Sequence, residues 1–305
     1  MQSQKKWRLN KKCLRSIYKG KMRKNFKNLK EGNNMNKKII TLVCSIFIIS
    51  IIVLPSHSFA ATLYSGFDGV DQYETIGGCD FGDRYGIEYV RNLNNALGSK
   101  FYNLFSYEDK YAWETDLTGS AANSVDFFAF AGHGVGATYL GNGNAAAHFF
   151  TQNSSSPPYH PSHQTDACNA DWSEISWGGS DSDLKWVTMY SCHFLQNYGN
   201  QTYYNNLKHI FNGVHLVMGF ASVMYLDPNE GTEYGNYISA GRSFEQAFFD
   251  AAEKWQKGHY DNTIARVMGA IKSQNDSYTS YSTDPDPWLQ HPEEYDHWDR
   301  VINPT

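Results

Sequence analysis

Beyond residue 60 the apolar positions fall into two rhythms. Residues 125–131 are nearly all apolar (Val125, then Phe127-Phe128-Ala129-Phe130-Ala131) and stop at Gly132-His133-Gly134. Residues 185–190 (Lys185-Trp186-Val187-Thr188-Met189-Tyr190) are rich in strand formers and stop at Ser191-Cys192. A third such run, 214–220, follows the turn residues Asn212-Gly213. Continuous apolar runs of this length, closed by turn residues, predict strands buried on both faces. Elsewhere the period is helical. Tyr89, Val90, Leu93 and Leu97 predict a helix opening near Gly86, and Leu207, Ile210 and Phe211 predict another. A helix from Ser243 has Ser243 and Gln246 as a capping box and Phe244, Ala247, Phe248, Ala251, Ala252 and Trp255 as its stripe. A further helix is expected from Asp261 as N-cap, with Ile264, Val267, Met268 and Ile271 on one face. Strands alternating with helices imply crossover units: an α/β fold in three layers, with a mostly parallel sheet covered by helices on both faces. Residues 141–183, rich in Asn, Ser, Gly and Pro, show no sustained period and are expected to be functional or to carry small irregular elements. With no internal repeat and no second linker, residues 61–305 form one domain.

The first 60 residues follow other rules. Residues 39–54 are a block of sixteen mainly apolar residues behind Lys37 and Lys38, broken by Pro55, and Ser58-Phe59-Ala60 offers the small residues a signal peptidase requires. Residues 1–60 are therefore expected to be a basic leader and secretory signal, cleaved after Ala60. The competing reading is a retained anchor, against which the block falls just short of the ~20 residues that span a bilayer. The expected product is secreted and extracellular, with no stable membrane insertion after cleavage.

Removing the leader changes the charge. The chain of 305 residues carries a formal −5, but residues 1–38 hold 14 basic residues and one acid, and residues 61–305 hold 12 basic residues against 30 acids, a net of −18. Phosphate contacts need clustered Lys and Arg, so nucleic acid is excluded as a partner. A chain that is 41% hydrophobic and 15% aromatic is not disordered. Three cysteines remain after Ala60: Cys79, Cys168 and Cys192. In an oxidising compartment an odd count leaves one thiol over, or pairs it between chains, and a leftover thiol is a candidate reagent.

Sites in open parallel sheets are built at the carboxyl ends of the strands. His133 lies just past one predicted strand and Cys192 just past the next, so both reach the same edge. A thiol of pKa about 8.5 needs a base such as imidazole, of pKa about 6.5, to act as a thiolate near neutrality. Gly132 and Gly134 allow the backbone to approach a substrate closely, and the Gly134 N–H could donate to an oxyanion. An apolar strand ending in His-Gly, then one ending in a small residue and Cys, resembles the signature of the caspase-like cysteine peptidases (caspases, gingipains, clostripain, separase and the CHAT domains). Gly213-Val214-His215, Asp227, and Gly241-Arg242-Ser243 with the helix behind it are similar to the CHAT pattern, and Gly132-His133-Gly134, Leu184-Lys185-Trp186-Val187 with Ser191-Cys192, and Gly213-Val214-His215 resemble an uncharacterised family of secreted bacterial proteins. The resemblance covers roughly residues 120–255. It implies a caspase-like fold, His133 as general base, Cys192 as nucleophile, Gly134 in the oxyanion hole, and a peptide or protein substrate. Cys79 and Cys168 would then be left to pair as a disulfide. Asp227 and, second, Asp183 are the candidate pocket residues, and an Asp227 facing the substrate would select a basic side chain. Ser191, where Ala is common, and His193, where a small residue is usual, depart from the pattern and bear on activity more than on fold.

Other constellations compete. His160, His163, Cys168 and His148 could ligate zinc, but a Pro- and Ser-rich loop more often carries solvated histidines, and no metal site is assigned. Asp181, Asp183, Asp284 and Asp286 offer oxygen ligands that suit calcium without matching an EF-hand, so calcium could bind and no cofactor is required. Trp172, Trp177, Trp288 and Trp298 could stack on sugars, although Trp177 and Trp186 fit better as residues packed beside the Cys192 strand. The alternative function is therefore an inactive caspase-like surface module that binds glycan or protein.

Overall fold

The computed structural model of the protein describes residues 62–73, 85–137, 143–149, 168–196 and 201–303. The chain divides between Ala60 and Ala61, and every described residue lies in the second unit. Chain order begins with β1 (Leu63–Gly69), α1 (Gly86–Leu97) and β2 (Phe101–Glu108), then two short helices, α2 (Glu114–Thr118) and α3 (Ser120–Asn123). There follow β3 (Phe127–Ala131), the small strands β4 (Gly134–Val135), β5 (Ala146–His148) and β6 (Asn169–Asp171), and β7 (Trp186–Tyr190). The rest comprises α4 (Gln201–Leu207), β8 (Leu216–Phe220), α5 (Pro228–Ser239), α6 (Phe244–Gln256), β9 (Thr263–Ala270) and β10 (Tyr295–Ile302).

Seven strands form one sheet in the order β10-β9-β8-β7-β3-β1-β2. The pairs from β2 to β8 are parallel, and β9 and β10 add antiparallel strands at one edge. The three buried strands expected from the apolar runs are its centre. Their side chains alternate between two cores: Phe127, Trp186, Tyr190, Leu216 and Met218 face α1, α5 and α6, while Phe128, Phe130, Val187, Met189 and Val217 face α2, α3, α4 and the three-stranded sheet β4-β5-β6. The fold is thus three-layer α/β, with long helices on one face and short helices and a small sheet on the other.

The helices form where expected for identifiable reasons. Tyr89, Val90, Leu93 and Leu97 of α1 are buried, and the Asp71 carboxylate accepts from the Ile87 N–H at 2.8 Å. Glycine is required where α5 lies on α1, since a Cβ at Gly231 would stand 2.5 Å from the Tyr89 carbonyl oxygen. The Ser243 hydroxyl caps α6 by accepting from the Gln246 N–H at 3.3 Å. On α6 the buried position falls to Gln256, whereas Trp255, expected on the stripe, is half-buried.

The segment after Asp261 corrects the sequence reading. It is the strand β9, not a helix. Ile264, Val267 and Met268 match helical spacing only because β9 lies between β8 and β10 and is buried on both faces, so apolar side chains occur without a period of two, while Ile271 lies beyond the strand and is exposed. Trp172 and Trp288 are core residues, not sugar platforms, and Trp177 packs in the core as expected; the indole N–H groups of Trp172 and Trp177 donate to the Phe194 and Leu117 carbonyls. Trp298 is half-buried against the helix-side core. No helix among the described residues is long and apolar enough to cross a membrane. The apolar block at 39–54 and the Ser58-Phe59-Ala60 motif lie outside those residues.

One buried charge pins the antiparallel edge. Arg266 on β9 makes a bidentate pair with Asp299, its register partner on β10 (2.6 and 2.7 Å), and donates to the Leu195 carbonyl at 3.0 Å. It thereby ties the turn after Cys192 to the sheet. Arg266→Ala is expected to cost about 2–3 kcal/mol in urea unfolding, below the usual value for a fully buried pair because Asp299 is a third exposed. Arg266→Lys should recover only part, having no fork to offer two oxygens.

Candidate active site

Two adjacent strand ends build the site. Ala131 and Tyr190 are register partners in the parallel pair β3–β7. His133 lies two residues beyond the first and Cys192 two residues beyond the second, so the segments carrying them leave the sheet side by side. The Gly132 N–H donates to the Tyr190 carbonyl at 3.2 Å. Gly134 rests on the other segment so closely that a Cβ there would stand 2.5 Å from the Cys192 carbonyl oxygen and 2.8 Å from the Ser191 hydroxyl. His133 and Cys192 line one cavity of about 160 Å³, together with Gly132, Tyr85, Tyr260 and residues 223–226. Tyr85 follows β1, and 223–226 follow β8, so four parallel strand ends and their loops converge on this edge.

Each group is held by its backbone surroundings. The Cys192 sulfur sits on Met224, whose N–H donates to it at 3.4 Å and whose carbonyl accepts from it at 3.5 Å. Cys192 keeps its thiol, whereas Cys168 is disulfide-bonded. The candidate partner Cys79 lies outside the described residues, as do His160 and His163 of the zinc candidate. The disulfide also removes Cys168 as a metal ligand. The His133 N–H donates to the Tyr73 hydroxyl at 2.7 Å, and the two rings stand edge to face with centroids 5.2 Å apart. His148 is the second imidazole, its centroid 6.5 Å from that of His133 and its Nδ1 hydrogen-bonded to the Asn169 side-chain oxygen. Burial, reinforced by the charge of His133, lowers its pKa to about 4, so His148 is neutral near pH 7.

His193 departs from expectation in a specific way. Its φ of 60° puts a non-glycine residue in the left-handed region directly after Cys192, at a cost of about 1–2 kcal/mol. The turn is locked by the His193 N–H donating to Ser222 O at 3.0 Å. The ring is half-buried, engages Gln196, and is not one of the described residues lining the cavity.

The remaining candidates lie apart. Asp227 is the N-cap of α5, accepting from the Asn229 N–H at 2.8 Å, and Leu226 rather than Asp227 lines the cavity. Asp183 is exposed before the first residue of β7, at the opposite end of that strand from Cys192. Asp284 accepts from His215 at 3.1 Å, and His215 is also bound by Asp276 at 2.6 Å; this clamp fastens the 276–284 segment to the residue just ahead of β8, again at the far edge. Among the described residues the His, Cys and carboxylate groups close enough to share an ion are His291, Glu293 and Glu294, remote from the dyad in the sequence and outside its cavity lining.

The sequence reading missed the polar group beneath the site. Glu230, in the first turn of α5, is fully buried and accepts from the Tyr190 hydroxyl and from the Gln256 amide (2.6 Å). Gln256 also donates to the Tyr225 carbonyl at 2.7 Å and accepts from the Tyr225 N–H at 2.8 Å. The end of β7 and the loop carrying Met224 and Tyr225 are thereby tied to one carboxyl group. An acidic residue early in a helix is an ordinary helix-start signal, so nothing in the sequence marks Glu230 as buried.

A three-layer α/β protein with a histidine and a cysteine at neighbouring strand ends is the class this geometry defines. Residues 67–298 match the family described as a domain of unknown function, DUF6345, and the chain belongs to that family. No curated protein matches it.

Burial raises the Glu230 pKa from 4.5 to about 8. Below pH 4.5 the group is neutral in folded and unfolded chains alike. Between pH 4.5 and about 8 the unfolded chain ionises while the fold retains the proton, so stability falls as pH rises, and above about 8 the loss is complete. Glu230→Gln, which mimics the protonated form, is expected to gain stability relative to the parent by more than about 1 kcal/mol between pH 5 and pH 8, each pKa unit being worth 1.36 kcal/mol. Urea unfolding at the two pH values measures this, and a difference independent of pH would show that Glu230 titrates normally.

Proposed function

We propose that this protein is a secreted cysteine endopeptidase of the caspase-like group, acting through a His133–Cys192 dyad. The observation that carries the reading is the shared cavity at two register-matched strand ends, with the sulfur seated on the Met224 backbone. His133 takes the proton from Cys192, and the Met224 N–H supports the resulting thiolate. The thiolate attacks the peptide carbonyl, and N–H groups near Gly134 and Cys192 hold the oxyanion. The imidazolium then returns its proton to the departing amine, leaving a thioester that water hydrolyses. A neutral His148 suits this sequence, since a second positive charge beside His133 would oppose imidazolium formation. The strained turn at His193 holds the nucleophile out at the strand end. No cofactor enters the chemistry, and EDTA is expected to leave the rate unchanged.

The test compares the parent with Cys192→Ala and His133→Ala on a mixed peptide library, read by mass spectrometry. Each substitution is expected to lower cleavage by at least about 10³-fold. Equal cleavage by Cys192→Ala, or none by the parent, overturns the proposal and leaves a binding module of the same fold.

A further inference from the structure

We infer that the dyad cavity takes an apolar or aromatic side chain, so that the substrate is a peptide cut beside a residue such as Phe, Tyr, Leu or Met. The inference rests on the peptidase reading above and adds the substrate class. Beside the dyad and Gly132, the described lining is Tyr85, Val223, Met224, Tyr225, Leu226 and Tyr260. Four of these lie open to solvent, Tyr85 at 61% and Tyr260 at 43% among them, although large apolar groups normally seek cover. A cavity of about 160 Å³ is close to the ~150 Å³ apolar space that holds one benzene ring.

Among the described residues the charged alternatives lack partners. A basic side chain would need a carboxylate, but Asp227 is committed to capping α5, and Glu230 is buried beneath Tyr190 and Gln256. An acidic side chain would need Lys or Arg, and none stands among the described lining residues. Desolvating an ion without a partner is expensive, so the cavity discriminates against both. The wall is also set before binding. The Tyr225 ring stacks on His259 at 3.8 Å with 6° between planes, and its backbone is held on both sides by Gln256. A wall ordered in advance costs little entropy on binding.

Calorimetric titration of the protein with the N-acetyl amides of Phe, Leu, Arg and Asp tests the cavity without requiring catalysis. Phe and Leu amides are expected to bind at least about tenfold more tightly than Arg or Asp amides, with Val223→Asp and Tyr260→Ala each reducing Phe binding several-fold. Binding of Arg or Asp amide as tight as Phe, Phe binding unchanged in Val223→Asp, or no binding by any amide overturns the inference. Cleavage of the library then separates the two claims. Phe-selective binding without cleavage removes the dyad reading alone, and Cys192-dependent cleavage after Arg, Lys or Asp removes the apolar cavity alone.

Discussion

Everything at the site depends on the register of β3 against β7. The two strands are buried on both faces, and their partners share a face pair by pair: Phe127 with Trp186, Phe130 with Met189, Ala131 with Tyr190. On the helix side Phe127 and Trp186 each stack on Phe244 of α6. A slip of one residue would exchange the two faces of β7 and carry Cys192 about 3.3 Å along the strand direction. Core packing therefore sets a chemical distance, and no polar contact between His133 and Cys192 is needed to bring their chain segments together. Gly134 completes the arrangement, because only a residue without a Cβ lets its segment lie against the Cys192 carbonyl.

That rigid frame ends at Tyr190 and Ala131, and what lies beyond them must be fixed by other means. Backbone hydrogen bonds hold the His193 turn to Ser222 and Arg266 holds Leu195, while Glu230 joins Tyr190 to Gln256 and so to Tyr225. A buried carboxyl is a poor stabiliser, yet it satisfies donors arriving from two separate elements, β7 and α6. Burial of this kind trades stability for position, which suits a strand end that must hold a reactive group at a fixed place.

How much of this was legible follows from which residues carry local signals. The runs ending in His133 and Cys192 identified β3 and β7 because strands buried on both faces are written as unbroken apolar text, and Tyr89 to Leu97 announced α1 by period. The same density misled at β9, where Ile264, Val267 and Met268 lie in a strand although their spacing fits a helix. Asp227 and Trp172 failed for another reason. An aspartate before Pro228 caps α5, and a tryptophan between Asp171 and Ser173 lies in the core; in both cases the decisive neighbours are distant in sequence. Glu230, Tyr73 and Tyr260 were invisible on the same ground, since each gains its role from a contact or cavity made by the fold.

Charge shows how the fold revises what composition suggests. Residues 61–305 carry a formal −18, but that figure counts every acid as ionised. Glu230 is raised to about 8, and Asp68, fully buried with neither oxygen hydrogen-bonded among the described residues, is raised well above the ordinary carboxyl range by burial and by Asp116. Glu230 is thus largely neutral at pH 7, and both acids are interior. Asp116, Asp126 and Asp276 are buried as well, and the negative charge on the exposed acids is screened over about 8 Å at 0.15 M salt. It can favour the approach of basic peptides along the surface. Inside the cavity the described walls beside the dyad and Gly132 are Tyr, Val, Met and Leu, where, on the proposed reading, desolvation outweighs a screened field in selecting the side chain that binds.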